Sequence, residues 1–211
     1  MIPVKVLAVQ YLSAVSPELS RALGTDAPCL GLITTDSDDP TYIALDQATK
    51  DAQVTVCYGR SFYAGAGNST TPYAGEVIGI LAGPTPGAVR SGMESALSEL
   101  QRVGFEEVSG VPCLAHTVSR CGSFLAKEAG IPEGSPIAYL IAPPLESMYA
   151  LDAALKAADV KLCKLYSPPT ETNFGGGLLT GTQSACAAAC AAFRDAVAEV
   201  AGNPNKERHY G

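Results

Sequence analysis

Short apolar runs alternate with amphipathic stretches along the chain, and this pattern predicts strands and helices in turn. In the first hundred residues the predicted strands are the apolar runs 4–9, 30–34, 54–58 and 76–81. Helices are predicted where a capping residue or a first-turn proline precedes an amphipathic stretch, which applies at Ser16-Pro17, Asp39-Pro40 and Pro86. Four strands with helices between them indicate a mixed α/β fold of the α+β kind and leave the strand order open.

The alanine-rich segment at 44–54 recurs at 150–160, where seven of eleven positions are identical. The same offset of 106 residues holds without a gap over more than forty residues, as four further pairs illustrate: Ser13 and Ser119, Leu19 and Leu125, Gly24 and Gly130, Cys57 and Cys163. A later glycine pair, Gly83 and Gly181, is only 98 residues apart, so one loop between about 58 and 83 is longer in the first copy. The sequence therefore predicts two copies of one domain, at about 1–108 and 109–202, and a polar tail at 203–211.

Composition and charge narrow the classes of function. Hydrophobic residues make up 47% of the 211 residues and charged residues only 17%, which indicates that much of the surface contacts other protein. The net charge of −7 argues against a nucleic-acid partner and favours small cationic ones. No run approaches the roughly 18 apolar residues of a membrane helix, and the first residues lack the pattern of a signal peptide.

Cysteine and histidine usage speaks against a zinc site and against an enzyme. Seven cysteines occur without a C-x-x-C pair, which predicts a reducing cytoplasmic setting and no disulfide framework. Cys186 and Cys190 lie on one apolar helix face and are interpreted as core residues, with a metal or redox role as the alternative. With only two histidines, a histidine-based catalytic triad has little to draw on.

Two glycine-rich segments fall at equivalent places, between the third and fourth strands of the two copies. The first contains Tyr63, Gly65, Gly67 and Tyr73. The second contains Asn173, Phe174, Gly175, Gly176 and Gly177. Neither has the pattern of a nucleotide-binding loop. Glycines with a few aromatic residues are typical of movable lids, and an ordinary surface loop is the alternative.

The densest cluster of charge is acidic and lies before the second helix. Asp39 is interpreted as the residue that caps this helix. Asp36 and Asp38 have no such role, so they are either solvated turn residues or ligands for an ammonium group or a divalent metal ion. Glu76, at the start of an apolar strand, is a further candidate without an acidic equivalent in the second copy.

The segment 149–162 resembles the helix-to-strand signature of bacterial microcompartment shell domains, in which an alanine-rich helix ends in Lys-Ala-Ala-Asn-Val; here Asp159 replaces the asparagine. Gly83 and Gly181, each followed by an alanine-rich helix, match a second landmark of that family. Each copy also begins with a strand that ordinary members carry at their end. Further segments at 36–44, 58–65, 142–146 and 168–173 resemble the tandem, circularly permuted shell proteins of ethanolamine utilization.

This resemblance implies a non-catalytic homotrimer whose six domains mimic a hexagon and tile edge to edge with copies of itself and with other shell proteins. Lys50 and Lys156 occupy the lysine position that lies along the edge of such hexagons, where a long aliphatic stem can cover a neighbour. It also implies the shell of a cytoplasmic bacterial microcompartment as the location. No cofactor is implied for the protein itself.

The resemblance further implies a central pore on the threefold axis, which the two glycine-rich segments are candidates to gate. We hypothesise that ethanolamine biases this gate by binding Asp38, Asp39 or Glu76, with Phe105 or a tyrosine offering a cation–π face. The family context adds cobalamin as a bulky molecule that an open pore could pass. Two alternatives stay open: a trimeric sensor of a small amine or cofactor that does not tile, and an enzyme with active sites between subunits.

Overall fold

The structure is a computed structural model that describes residues 1–62, 76–168 and 170–205. The first half of the chain forms four strands and three helices. In chain order these are β1 (Val6–Leu12), α1 (Pro17–Ala22), β2 (Cys29–Thr35), α2 (Asp38–Asp51), β3 (Thr55–Phe62), β4 (Glu76–Gly83) and α3 (Pro86–Glu99).

The second half repeats this order after one additional short strand. Its elements are β5 (Glu106–Val108), β6 (Val111–Val118), α4 (Ser123–Ala129), β7 (Ile137–Ala142), α5 (Pro144–Ala157), β8 (Val160–Tyr166), β9 (Gly175–Gly181) and α6 (Gln183–Gly202). The predicted boundary at 108/109 falls inside the hairpin between β5 and β6, so residues 106–108 join the second sheet.

The strands form two antiparallel sheets of matching order, β1-β2-β4-β3 in the first half and β5-β6-β7-β9-β8 in the second. The predicted mixed α/β fold of the α+β kind is confirmed. The pair β3–β4 contains a bulge at Cys57, and the pair β8–β9 contains one at Cys163. The two cysteines are 106 residues apart, as in the sequence repeat.

The gapless offset of 106 is wrong for one pair of strands. Val9 pairs with Ile33 in the first sheet, and its equivalent Ala115 pairs with Leu140 in the second, so β2 and β7 correspond at an offset of 107. The loop that precedes β7 is longer than the loop before β2, and the link from β7 to α5 is shorter by one residue, which restores the offset of 106 in the helix. Compensating changes of this kind leave little trace in a sequence comparison.

Each sheet carries two helices on one face. In the first half α2 and α3 cover β2 and β4 with small and apolar side chains, and in the second half α5 and α6 cover β7 and β9 in the same way. Cys186 and Cys190 lie in this second core, as predicted, and burial raises the pKa of both thiols. The helices α3 and α6 begin with threonine caps, Thr85 and Thr182, whose hydroxyls accept backbone hydrogen bonds.

The two halves meet where helix α2 packs against helix α4. Ile43 of α2 is part of the apolar cluster of the second half. Asp46 accepts hydrogen bonds from the backbone amides of Gly122 and Leu125, at 2.7 and 2.8 Å, and so supplies the N-terminal cap that α4 lacks within its own segment. This junction holds the N-terminus of α2 against the second sheet, where the candidate site lies.

Candidate functional site

A cavity of about 800 Å³ lies between the two halves of the chain. The first half supplies the beginning of α2 and most of strand β3, while the second half supplies α4, parts of β7 and β8, and most of the segment 170–175. Its volume is in the range of cavities that hold small molecules. Because its walls come from both halves, a ligand here would contact both.

The acidic cluster places two carboxyl groups at the wall of this cavity. The prediction that Asp39 caps α2 is wrong: Ser37 precedes the helix in an extended conformation and makes no side-chain cap, while Asp38 and Asp39 lie in the first helical turn. Both acids are nonetheless buried, because the helix begins at the junction between the halves. The N-terminal end of a helix favours negative charge at this position.

Hydrogen bonds from both halves hold the acid pair. One oxygen of Asp38 accepts the backbone amide of Asp39 at 2.9 Å, and the Ser61 hydroxyl of β3 also bonds its carboxyl group. Tyr139 of β7 donates its hydroxyl to Oδ1 of Asp39 at 2.8 Å. Throughout the described part of the chain every buried side-chain nitrogen and oxygen has such a partner. The pair is therefore rigidly placed, with Asp38 on the side of β3.

Burial makes this pair reluctant to ionise. It raises the pKa of Asp39 well above its usual range, and the neighbouring charge of Asp38 adds to the effect. Burial also raises the pKa of Asp38, to about 6, against the lowering effect of its hydrogen bonds. The two neighbouring carboxyl groups therefore resist carrying two negative charges at once. A buried, partly desolvated carboxylate of this kind is a strong partner for a small cation.

Tyrosines surround the acids and extend the network to the surface. Burial raises the pKa of Tyr42, Tyr139 and Tyr166, so all three stay protonated. The ring of Tyr166 stacks on that of Tyr139, with 6.3 Å between the ring centroids, and its hydroxyl donates to Glu128 at 3.4 Å. Lys164 forms an ion pair with the same glutamate at 3.4 Å. The acid pair is thus connected through the stacked tyrosines Tyr139 and Tyr166 to a charged rim.

The remaining acid of the cluster does not face the cavity. Oδ1 of Asp36 accepts the backbone amide of Lys5 at 2.8 Å, which ties the chain before β1 to the end of β2. Among residues 1–62, 76–168 and 170–205, no three His, Cys, Asp or Glu side chains come together as metal ligands would. The weak metal hypothesis for Asp36 and Asp38 therefore gains no further ligand from these residues.

The two other residues predicted to contact the ligand are Glu76, whose role stays a prediction, and Phe105, which is buried. Glu76 is the first residue of β4, where its backbone pairs with Phe62, next to the Ser61 that bonds Asp38; its side chain lies outside what the structure describes. Phe105 is buried, and its ring packs 5.6 Å from the ring of Phe174, which does line the cavity. Phe105 therefore lies behind the cavity wall, and Tyr42 presents the aromatic ring beside Asp38.

The two glycine-rich segments differ in what can be said of them. Tyr63, Gly65, Gly67 and Tyr73 lie outside the described residues. In the second segment Asn173 has a positive φ of 64° and Phe174 contacts the cavity, both before β9.

The prediction that Gly175, Gly176 and Gly177 form part of a loop is wrong, because they are buried in strand β9. At all three a Cβ would crowd a neighbour, and at Gly176 it would overlap the carbonyl oxygen of Leu140. These glycines therefore allow close packing within a sheet.

The two equivalent lysines lie in different surroundings within one chain. The ammonium of Lys50 donates to the carbonyl oxygen of Arg120 at 3.1 Å and is 3.6 Å from Asp46, so it spans the junction between the halves. Lys156 pairs with Asp152 at 2.5 Å on an exposed surface. Their expected role at a tile edge stays a prediction.

Sequence reasoning missed most partners of the acid pair. Tyr139 stands in the run Ile137–Ala142, which reads as an ordinary apolar strand, and Ser61 and Tyr166 belong to two different edge strands. The one available signal was a single hydroxyl-bearing residue in an otherwise aliphatic strand, since a buried tyrosine hydroxyl needs a partner.

In the described residues, no helix is both long and apolar enough to cross a membrane.

Comparison with known proteins gives a consistent result. The sequence model of the protein family described as "BMC domain" matches residues 29–112 of the chain. The chain is 59% identical over 205 residues to the bacterial microcompartment shell protein EutL of Clostridium perfringens (strain 13 / Type A), and 49% identical to EutL of Escherichia coli (strain K12), with 94% of each chain covered. It is similar to the monoclinic crystal structure of EutL from Clostridium perfringens, with a TM-score of 0.92 and 57% identity over 98% of this chain and 96% of that one.

Proposed function

The chain belongs to the EutL family of bacterial microcompartment shell proteins, and from this premise we propose that three copies form a non-catalytic, six-domain tile of a shell in the cytoplasm. Near full-length similarity to proteins named as shell components is the observation that carries this proposal. The matching strand order of the two sheets supports it, because two similar domains per chain allow three chains to imitate a hexagon.

Tiling into sheets, alone and with other shell proteins, is the first part of the proposed function. Lys50→Ala combined with Lys156→Ala is expected to abolish flat arrays in negative-stain electron microscopy of concentrated protein. Trimers should persist in light scattering, because the contacts that Lys50 and Lys156 make in the structure lie within one chain. Lys161→Ala, which alters an exposed lysine of β8, is the matched control and should still form arrays. Arrays of the double variant as extensive as those of wild type would contradict the edge role.

We propose ethanolamine as the ligand of the cavity, with its ammonium group at the carboxylate of Asp38 and its carbon chain against Tyr42. The buried acid pair supports this, since the carboxyl group of Asp38 lies in a partly desolvated wall that also contains the ring of Tyr42. The residues 106 positions after Asp38, Asp39 and Tyr42 are Pro144, Leu145 and Met148. The second copy therefore has no equivalent acid site. The proposal therefore predicts three ligand sites in a trimer.

The cavity also offers a route from ligand to gate. Ser61, which bonds Asp38, is one residue before the end of β3, and the segment 63–75 follows directly. Phe174 at the cavity wall directly precedes β9. A ligand that binds better to one arrangement of these segments would shift the gate toward that arrangement. Cobalamin passage through an open pore is a further proposal that rests on the family context.

Ethanolamine affinity is expected to fall as the pH falls through about 6, because the carboxyl group of Asp38, with its pKa of about 6, must be ionised to bind a cation. The ammonium group stays protonated over this range. Calorimetric titration should give about tenfold weaker binding at pH 5 than at pH 8. Asp38→Asn should weaken binding at pH 8 by at least tenfold and remove the pH dependence.

Asp36→Asn is the control for this titration, because its amide oxygen can still accept the Lys5 amide and it does not line the cavity. Equal affinity of wild type and Asp38→Asn at pH 8 would rule out this site. Ethanolamine binding by trimers that never form arrays would instead favour a second candidate function, a non-tiling sensor, for which the buried acid pair is the supporting observation.

A further inference from the structure

One edge of strand β3 lines the cavity between the two halves. β3 comes last in the order β1-β2-β4-β3, so it pairs with β4 on one side only. Residues 55–61 all line the cavity, and none of them makes a backbone–backbone hydrogen bond outside the ladder to β4 with any residue that the structure describes. The backbone groups of β3 that point away from β4 can therefore pair with a further strand.

The cavity has the size and the lining of a site for an extended peptide. Its volume of about 800 Å³ lies in the upper part of the range that holds drug-sized ligands, well above what a two-carbon amine requires. Beyond the bulge at Cys57, residues 58–62 pair regularly with β4 and extend over roughly 17 Å at about 3.3 Å per residue. A peptide that adds to a sheet edge binds through its own backbone, and it needs open space beside a regular strand of this kind.

The side chains of β3 divide the lining of the cavity into two sides. A Cβ at Gly59 would lie 3.5 Å from the ring of Tyr42, so this position faces helix α2, which carries the acid pair. Arg60 follows Gly59 and points to the opposite face of the sheet, since side chains alternate along a strand. Arg60 is exposed and forms no ion pair within the described part of the chain. The two sides therefore offer the carboxyl group of Asp38 and a guanidinium group.

The second half of the chain contributes charges to the lining that balance one another. Lys164 forms an ion pair with Glu128 at 3.4 Å. Lys127 and Glu171 also line the cavity and add one charge of each sign. The charges on the side of the first half therefore decide which side chains a bound peptide would place in the cavity.

We propose that an extended peptide adds to the sheet along β3, with a lysine side chain at Asp38 and a neighbouring acidic side chain at Arg60. The side chains of an added strand alternate in step with those of β3, so adjacent residues of the peptide reach opposite sides of the cavity. The lysine ammonium group takes the place that is proposed above for ethanolamine. This inference goes beyond the shell function and shares only that one contact with the ethanolamine site.

Fluorescence anisotropy of a labelled peptide, Thr-Val-Lys-Glu-Val-Thr, tests the inference on the full-length protein. We expect a dissociation constant below about 1 mM, and norleucine in place of the lysine should weaken binding at least tenfold. Methylation of the four central backbone amides should weaken binding to the same extent. Because methylation removes hydrogen-bond donors and leaves the side chains unchanged, it separates strand addition from binding of the lysine alone.

Charge reversal at Arg60 tests the register of the added strand. Arg60→Glu should weaken binding of this peptide at least fivefold and should prefer the peptide in which a second lysine replaces the glutamate. Lys161→Glu changes the net charge by the same amount at an exposed position of β8 outside the lining, so it is the control and should keep the wild-type preference. Hydrogen exchange at residues 55–61 should slow when the peptide is bound, because the added strand accepts their outward amide hydrogens.

The outcomes distinguish this inference from the proposed function. Wild-type protein that forms arrays and binds ethanolamine but does not bind the peptide at about 1 mM would overturn this inference alone. Equal affinity for the methylated and the unmethylated peptide would also overturn it. Peptide binding that depends on the backbone amides, by protein that fails to bind ethanolamine, would support the inference and count against ethanolamine as the ligand.

Discussion

Replacing Gly176 by alanine is expected to destabilise the second sheet strongly. Strand β9 lies between β7 and β8, and Gly176 has a φ of 155° that side chains rarely adopt. A Cβ there would overlap the carbonyl oxygen of Leu140, a backbone atom that cannot move without breaking the ladder to β7. We expect the free energy of unfolding to fall by more than about 4 kcal/mol, which exceeds the range of most substitutions.

Chemical denaturation followed by circular dichroism measures this loss. Gly202→Ala is the matched control, because Gly202 ends helix α6 with open space around its Cα, and it should change the free energy of unfolding by no more than about 1 kcal/mol. A Gly176→Ala variant as stable as the control would show that the sheet can accommodate a side chain there.

The glycine run illustrates what sequence reasoning could not decide. Glycine is used both where a chain needs freedom and where two backbones approach closely, and composition alone does not separate the two uses. Gly176 and Gly177 belong to the second kind, since a Cβ at Gly177 would come within 2.6 Å of the carbonyl oxygen of Lys164. Only the pairing of β9 with both neighbouring strands reveals this.

The fold was predictable to the extent that its signals are local. The pair Ser16-Pro17 located the beginning of α1 and Pro86 that of α3, and the repeat paired the elements of the two halves. The sequence comparison did not reveal that β2 and β7 correspond at an offset of 107, because two compensating length changes flank the strand. The order of the strands could not be predicted either, because it depends on contacts between distant segments.

The part of the candidate site that has a local sequence signal was also predictable. The acidic cluster stands out because three of four consecutive residues are acids, at Asp36, Asp38 and Asp39. Their separation into one structural acid and one buried pair depends on Lys5 and Tyr139, the second of which is 100 residues away from its partner. Burial, which raises the pKa of Asp38, is likewise a property of the junction between the halves.

The junction itself leads to the second large effect, at Asp46. This side chain is 0% exposed, and its two oxygens accept the amides of Gly122 and Leu125, which begin helix α4. Asp46→Asn would turn an amide donor toward one of these N–H groups, so at least one charge-assisted hydrogen bond is lost inside the protein. We expect the free energy of unfolding to fall by about 2–4 kcal/mol.

The measurement that attributes this loss to the junction is hydrogen exchange combined with urea denaturation. In Asp46→Asn the amides of Gly122 and Leu125 should exchange faster than in wild type, because they lose a buried acceptor and the first turn of α4 opens more often. Asp159→Asn, an exposed change of the same chemical kind, is the control and should alter stability by less than about 0.5 kcal/mol. If Asp46→Asn matched that control in both measurements, the two halves would have to be joined mainly by the apolar contacts around Ile43, and the cap of α4 would contribute little to holding the site together.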